Sequence, residues 1–225
     1  MNEDLFQDMA QSIIDGEPEA ASELAQRAVD LGVDPMEAIN RGFIVGVNHV
    51  GEKFSCGDMF LPELVGAGEA MKSAIAILEP EMSLRGMKRE IAGRVVIGTI
   101  QGDIHDIGKT LVGTMLSAGG FEVYDLGIDV PIQKFIDKAR EVDADIIGVS
   151  ALLTTTMVRQ KDVIKAIQDA GMSSHLKVMV GGAPVTRSWV EEIGADGYSE
   201  DAVGAVAVAR QLMSEKTASS HKNQA

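Results

Sequence analysis

The order of apolar and polar residues changes character near residue 90. Before it, apolar side chains return every three or four positions over 7–15, 18–31, 35–54 and 61–78, the period of an amphipathic helix. The interruptions are helix punctuation: Asp15-Gly16-Glu17-Pro18, Gly32-Val33-Asp34-Pro35 and Ser55-Cys56-Gly57-Asp58. Four helices with short links predict a small antiparallel bundle. From Arg94 onward, short β-branched runs alternate with single helical stretches. The runs are Val95-Val96-Ile97-Gly98-Thr99, Phe121-Glu122-Val123-Tyr124, Ile146-Ile147-Gly148-Val149-Ser150 and Val178-Met179-Val180, with a weak fifth around Gly197-Tyr198. The helical stretches are 108–118, 132–142, 155–170, 187–193 and 202–213. Near-continuous apolar strands separated by single helices predict a parallel sheet covered on both faces. The fold expected is therefore α/β: an N-terminal four-helix bundle followed by a Rossmann-like (flavodoxin-like) five-stranded parallel sheet with flanking helices.

The stretch 80–93, with Pro80, Gly86, Gly93 and mixed charges, is expected to link a helical domain, 1–89, to a sheet domain, 90–214. Residues 215–225 lack periodicity and are expected to form a frayed tail.

Composition narrows the function. The chain has 225 residues, 34 acidic against 20 basic, a net charge of −14, and the calculated pI is about 4.6. Such a balance cannot neutralise a run of phosphates, so nucleic acid is not an expected partner. An anionic membrane surface is disfavoured for the same reason. The longest uncharged stretch, 146–158, is 13 residues, too short to span a bilayer. The first residues, MNEDLFQDMAQ, lack the basic-then-apolar order of a signal peptide, so a cytoplasmic location is expected. A single cysteine, Cys56, excludes an internal disulfide framework and a thiolate zinc cluster within one chain.

In parallel sheets of this kind, ligands bind beyond the carboxyl ends of the strands. After the first strand comes Gly102-Asp103-Ile104-His105-Asp106-Ile107-Gly108-Lys109-Thr110. Its Gly-Lys-Thr ending suggests a phosphate loop, but that loop needs four residues between its glycines and here there are five. Two aspartates inside an anion cradle would also repel the anion. Asp-x-His has a better chemical reading. A carboxylate that accepts one ring N–H fixes the tautomer and makes the other nitrogen a stronger donor, which suits a metal ligand or a general base. The remaining histidines, His49, His175 and His221, have no zinc-ligand spacing. If His105 binds a metal, the metal should arrive inside a cofactor that supplies its other ligands.

The other strand ends suit a bulky organic ligand. Ser150-Ala151-Leu152-Leu153-Thr154-Thr155-Thr156 is small and hydroxylic, and Gly181-Gly182-Ala183-Pro184 carries almost no side chain. A receiver domain would want a carboxylate after its third strand, where this chain has Ser150.

Taken together, Asp103-x-His105-x-x-Gly108, Ser150-x-Leu152 and Gly181-Gly182 resemble the cobalamin-binding signature of methyltransferases and mutases. The helical half resembles the cap of methionine synthase, in Val50-Gly51-Glu52-Lys53-Phe54 and Phe60-Leu61-Pro62-Glu63-Leu64-Val65. A cap plus a binding domain is similar to the small corrinoid proteins of methanogens and acetogens, a likeness that covers about residues 1–214. The resemblance implies that His105 ligates cobalt from the lower face, with the cofactor's own base displaced into a slot lined by Ser150, Leu152, Gly181 and Gly182. Room for the tail is assigned to the missing side chain of Gly182. Asp103 would hydrogen-bond His105, and Thr156 stands where methionine synthase extends that relay with a serine. Gly102, Asp106, Ile107, Gly108 and Thr154 join the expected cofactor-binding residues, with Ser199 as a further contact. Phe54 and Leu61 match cap residues that shield the bound methyl group of methylcobalamin, while the helical period alone reads both as bundle core. Met59 and Met71 read as gap-filling core.

The function implied is that of a methyl carrier, with no complete reaction of its own. A substrate-specific methyltransferase for methylamine, betaine, methanol or a similar donor would load it on Co(I). A second methyltransferase would pass the methyl from Co(III) to tetrahydrofolate or coenzyme M, and a reductive activase is a further expected partner. The alternative is a cobalamin-dependent sensor or regulatory module. Such proteins usually add a DNA-binding or signalling segment, for which cap, sheet domain and tail leave no residues here. A mutase subunit would share the sheet domain without needing this cap.

Overall fold

A computed structural model describes residues 2–85 and 91–222. The chain divides into two compact units, one formed by Met1–Glu90 with Ser117–Gly119, the other by Ile91–Leu116 with Gly120–Ala225.

In the first unit, α1 (Asn2–Ile14), α2 (Pro18–Asp30), α3 (Pro35–Glu37), α4 (Ile44–Ser55) and α5 (Leu61–Leu84) bury Leu5, Met9, Ile13, Phe43, Val50, Leu64, Met71 and Leu78. Proline at the first helical position starts α2 and α3, and the Asp34 carboxylate accepts the Met36 and Glu37 amides at 2.8 and 3.1 Å. The single helix expected over 35–54 is interrupted by a π-helical segment, Ala38–Phe43. It lies close against α1: a Cβ on Gly42 would meet the Met9 Sδ at 2.7 Å. The chain also stays helical past Pro80, because Met82, 2 % exposed, anchors the following turn in the core and Arg85 pairs with Glu81. Residues 86–90 of the expected linker lie outside the described residues.

The second unit is the expected sheet. Strands β1 (Arg94–Thr99), β2 (Glu122–Asp125), β3 (Ile146–Ser150), β4 (Lys177–Gly181) and β5 (Gly197–Tyr198) are all parallel, in the order β2-β1-β3-β4-β5. Successive strand residues serve opposite faces. Val96, Ile147 and Val178 pack with Phe135 of α7 (Ile132–Glu141), Ile164 of α9 (Gln160–Asp169) and Val190 of α10 (Arg187–Ile193). Val95, Ile146 and Met179 pack with Leu116 of α6 (Ile107–Ala118) and Ala209 of α11 (Ala202–Lys222). That alternation is why the buried strands read as unbroken apolar runs.

Two helices depart from their expected limits. The stretch 155–170 is two pieces, α8 (Thr154–Met157) and α9, broken where Thr156 and Gln160 turn their side chains to partners on the sheet side. The tail expected from residue 215 instead continues α11 through Lys222, beyond the last periodic residues. Lys216, on that added length, pairs with Asp145. Among the described residues, no helix is long and apolar enough to cross a membrane.

Candidate functional site

Strands β1 and β3 are neighbours, but the helices that follow them leave for opposite faces, so their carboxyl ends border the crevice where this fold binds ligands. The β1–α6 loop carries Asp103 into that crevice, where the side chain is completely buried. Its Oδ1 accepts the His105 ring N–H (Nδ1, 2.6 Å) and the His105 amide (3.1 Å). Its Oδ2 accepts the Thr156 hydroxyl (2.6 Å) and the amides of Leu152 and Leu153 (2.8 and 3.2 Å). Burial alone would raise this carboxyl. The hydrogen bonds from Thr156, from the His105 ring and from the His105 and Leu152 amides outweigh it and hold Asp103 well below the usual carboxylate range.

A depressed carboxyl contributes stability that is present above its unfolded value and is lost as the pH falls through the native one. The cofactor-free chain is therefore expected to lose about 2 kcal/mol of this contribution on acidification below about pH 4, and Asp103→Asn to lack that loss. Urea midpoints between pH 5 and 2 check it. Equal acid slopes for the two proteins would exclude Asp103 as the source.

An ionised carboxylate only accepts, so Nδ1 of His105 keeps the proton and Nε2 holds the free lone pair. Among the described residues Nε2 has no partner, and the side chain is 46 % exposed. The loop behind it is braced from three sides. The Thr99 hydroxyl, at the end of β1, donates to the His105 carbonyl at 2.8 Å. The Gly102 amide donates to Asp129 Oδ1 at 2.7 Å, while the Asp129 amide donates to the Asp103 carbonyl at 3.0 Å. Lys109 is buried, with Nζ 2.5 Å from Asp125 Oδ1 and 2.6 Å from Asp106 Oδ1. Burial would lower that ammonium, but its two carboxylate partners outweigh the effect and raise it. Lys109 is thus a brace between α6 and the end of β2, and the Asp106 carboxylate is committed to it and to Thr110.

Around the imidazole the rim is apolar and accessible. Ile104, Ile107, Leu152 and Leu153 are all at least 41 % exposed. Thr154 and Gly108 are exposed beside them, and Ser150 is half-buried at the end of β3. Next to Ser150 in register lies Gly181, where an added Cβ would find nothing within 4 Å. Gly182 differs from the expectation. A Cβ there would lie 1.7 Å from the Ala151 carbonyl oxygen, so its missing side chain admits the neighbouring strand end, and the open space is at Gly181. Ser199 lines a cleft of about 350 Å³ with Val185, Thr186, Arg187, Tyr198 and Glu200; its hydroxyl donates to the Asp201 carbonyl at 2.9 Å, and the Asp201 carboxylate caps α11 by accepting the Gly204 amide at 2.6 Å. In the helical unit, Phe54 is half-buried and Leu61 is 40 % exposed beside Phe60 at 66 %, so neither belongs to the bundle core. Met71 does, at 1 % exposure, and Met59 is half-buried.

Sequence reading misses Ile104 and Leu153 on the rim, and Thr99, Asp129 and Gln160 behind it. The Gln160 signal is present as a polar residue three positions before Val163 on a buried helical stripe.

One outward nitrogen on a buried carboxylate, set in an apolar rim at the switch point of a flavodoxin-like sheet, has the chemistry to complete the coordination of a metal already held by a flat organic ring. The accessible Nε2, the apolar rim and the bare space beside Gly181 fit such a group, and among the described residues no cluster of His, Cys, Asp and Glu forms a competing cage. The chain belongs to the B12-binding family, and cobalamin is its cofactor. Residues 93–207 and 5–79 each match a family described as a B12 binding domain. The chain is 45% identical to a corrinoid protein of Desulfitobacterium hafniense over 210 residues, 93% of this chain and 97% of that one. It is 46% identical to a trimethylamine corrinoid protein of Methanosarcina acetivorans over 211 residues, 94% and 98% of the two chains. Among solved structures, it is similar to the methanol:cobalamin methyltransferase complex MtaBC of Methanosarcina barkeri, with 30% identity, a TM-score of 0.84, and coverage of 94% of this chain and 80% of that one.

Proposed function

We propose that the chain is a corrinoid methyl carrier of a methylamine-type methyltransferase system, with His105 Nε2 as the lower ligand to cobalt. The observation that carries the reading is the 2.6 Å contact between His105 Nδ1 and the buried Asp103 carboxylate, which leaves Nε2 outward and unpartnered among the described residues. Bound cobalamin supplies a cobalt centre that takes a methyl group from one substrate and yields it to another. His105 Nε2 would be the nitrogen through which the chain holds that centre. While Nε2 is engaged, the ring proton stays at Nδ1, shared with Asp103, and the short hydrogen bond strengthens Nε2 as a donor. The Asp103 carboxylate would balance positive charge gathered at the imidazole. Thr156 and the amides of Leu152 and Leu153 keep that carboxylate ionised throughout. Ile104, Ile107, Leu152 and Leu153 would exclude water beneath the ring, and Ser150 and Gly181 would border its lower arm. Phe54 and Leu61, accessible in the helical unit, would shield the transferred methyl group.

The likeness to trimethylamine and dimethylamine corrinoid proteins favours a methylamine as the methyl source. A methylamine-specific methyltransferase would load the chain, and a second enzyme using tetrahydrofolate or coenzyme M would unload it. A reductive activase would restore carriers lost to oxidation. The test is to load the purified chain with cobalamin, reduce it, and add methyltransferases specific for trimethylamine, dimethylamine, monomethylamine or methanol, each with its substrate. Methylation, read as the absorbance change of the cofactor, is expected with a methylamine enzyme. Loaded protein that no methylamine enzyme methylates would overturn the donor assignment.

A further inference from the structure

Gln160 is fully buried at the start of α9, on the stripe that continues as Val163, Ile164 and Ile167. An amide in such a place is costly unless every polar atom is satisfied, and here all of them are. Nε2 donates to the Val149 carbonyl at 3.0 Å and to the Gly181 carbonyl at 3.1 Å, and Oε1 accepts the Trp189 ring N–H at 3.0 Å. One side chain therefore spans the carboxyl ends of two adjacent strands and is itself held by α10. The Gly181 carbonyl also accepts the Ala151 amide at 3.1 Å, so Gln160 acts at the last rung between β3 and β4. This rung borders the open space beside Gly181. On the far side, Thr186 and Arg187, at the start of α10, line the 350 Å³ cleft.

We propose that Gln160, backed by Trp189, is a positioning residue that fixes the spacing of the β3 and β4 ends and so makes the crevice selective for a corrinoid that carries its nucleotide arm. The inference rests on the cobalamin reading above. The exposed rim of Ile104, Ile107, Leu152 and Leu153 would take the broad corrin ring, and the slender arm would run past the joined strand ends through the open space beside Gly181. The hydrogen bonds of Gln160 go to Val149, Gly181 and Trp189, not to His105 or the rim, so its effect should fall on the arm and spare the ring.

The experiment titrates the full cofactor-free chain with aquocobalamin and, separately, with cobinamide, which lacks the nucleotide arm, following absorbance. Gln160→Met keeps the volume and removes the two N–H donors and the acceptor. It is expected to weaken cobalamin binding about tenfold while cobinamide binding stays within about twofold. Trp189→Phe keeps a half-buried ring, loses the N–H, and should shift the same ratio in the same direction by a smaller factor. A parallel fall in both affinities, or no change in either, would overturn the assignment. Should Gln160→Met fail to fold, the Trp189→Phe ratio decides alone. Wild-type protein that binds neither corrinoid would overturn the cobalamin reading and this inference together. Wild-type protein that binds both, with an unchanged ratio in the variants, would overturn this inference only.

Discussion

Cobalamin-loaded protein in the Co(II) state is expected to show nitrogen hyperfine splitting from His105, and His105→Ala to lose it. The argument is one of inventory at the rim. His105 Nε2 is the nitrogen that the β1–α6 loop presents outward, while Asp103, Thr156 and the Leu152 and Leu153 amides form a closed set of hydrogen bonds beneath it. Alanine leaves no ligand at that point, and Asp103 and Thr156 behind it are buried and engaged. Labelling histidine with ¹⁵N separates the protein's nitrogen from the cofactor's own base. The wild-type splitting should change from triplets to doublets, and the variant should show no response to the label. Splitting in the wild type that ignores the label would remove His105 as the ligand.

The second large effect concerns a pair of adjacent glycines with opposite roles. Gly182→Ala is expected to destabilise the cofactor-free chain by about 4 kcal/mol or more, read as a fall in the urea midpoint. Its φ is +125°, a conformation that side chains rarely adopt, and the added Cβ would lie 1.7 Å from the Ala151 carbonyl oxygen. That oxygen belongs to the backbone and cannot swing away. Gly181→Ala should leave the midpoint within about 0.5 kcal/mol, because nothing lies within 4 Å of its added Cβ. The same variant should weaken cobalamin binding, since the methyl group would occupy the space beside the strand end. A stable Gly182→Ala would refute the steric argument, and unchanged cobalamin affinity in Gly181→Ala would remove that space from the site.

Much of this site is legible in the sequence. Asp103 and His105 are two residues apart on a loop, so their pairing follows from local geometry, and the loop's place after a strand follows from the change of period around it. The apolar stripes likewise announce the helices, although they cannot announce breaks. The π-helical segment at Ala38–Phe43 and the division between α8 and α9 both occur where a distant surface pulls on the chain: α1 at the first, the strand ends at the second. Gly182 stands out in the sequence because it is bare, and the Ala151 carbonyl alone is enough to require that bareness. A bare position can be read from sequence, but whether a ligand or a neighbouring backbone fills it cannot.

The sequence by itself determined the parallel sheet, the helical half, the acidic and thiol-poor character, and the Asp-x-His loop, because period, charge and short-range hydrogen bonding are local properties. Tertiary structure decided what surrounds that loop. Asp103 draws its other donors from residues 49 to 53 positions away, and Gln160 clamps carbonyls 11 and 21 positions away. Such partners meet only after the strands have ordered themselves side by side, and no local pattern encodes their distance.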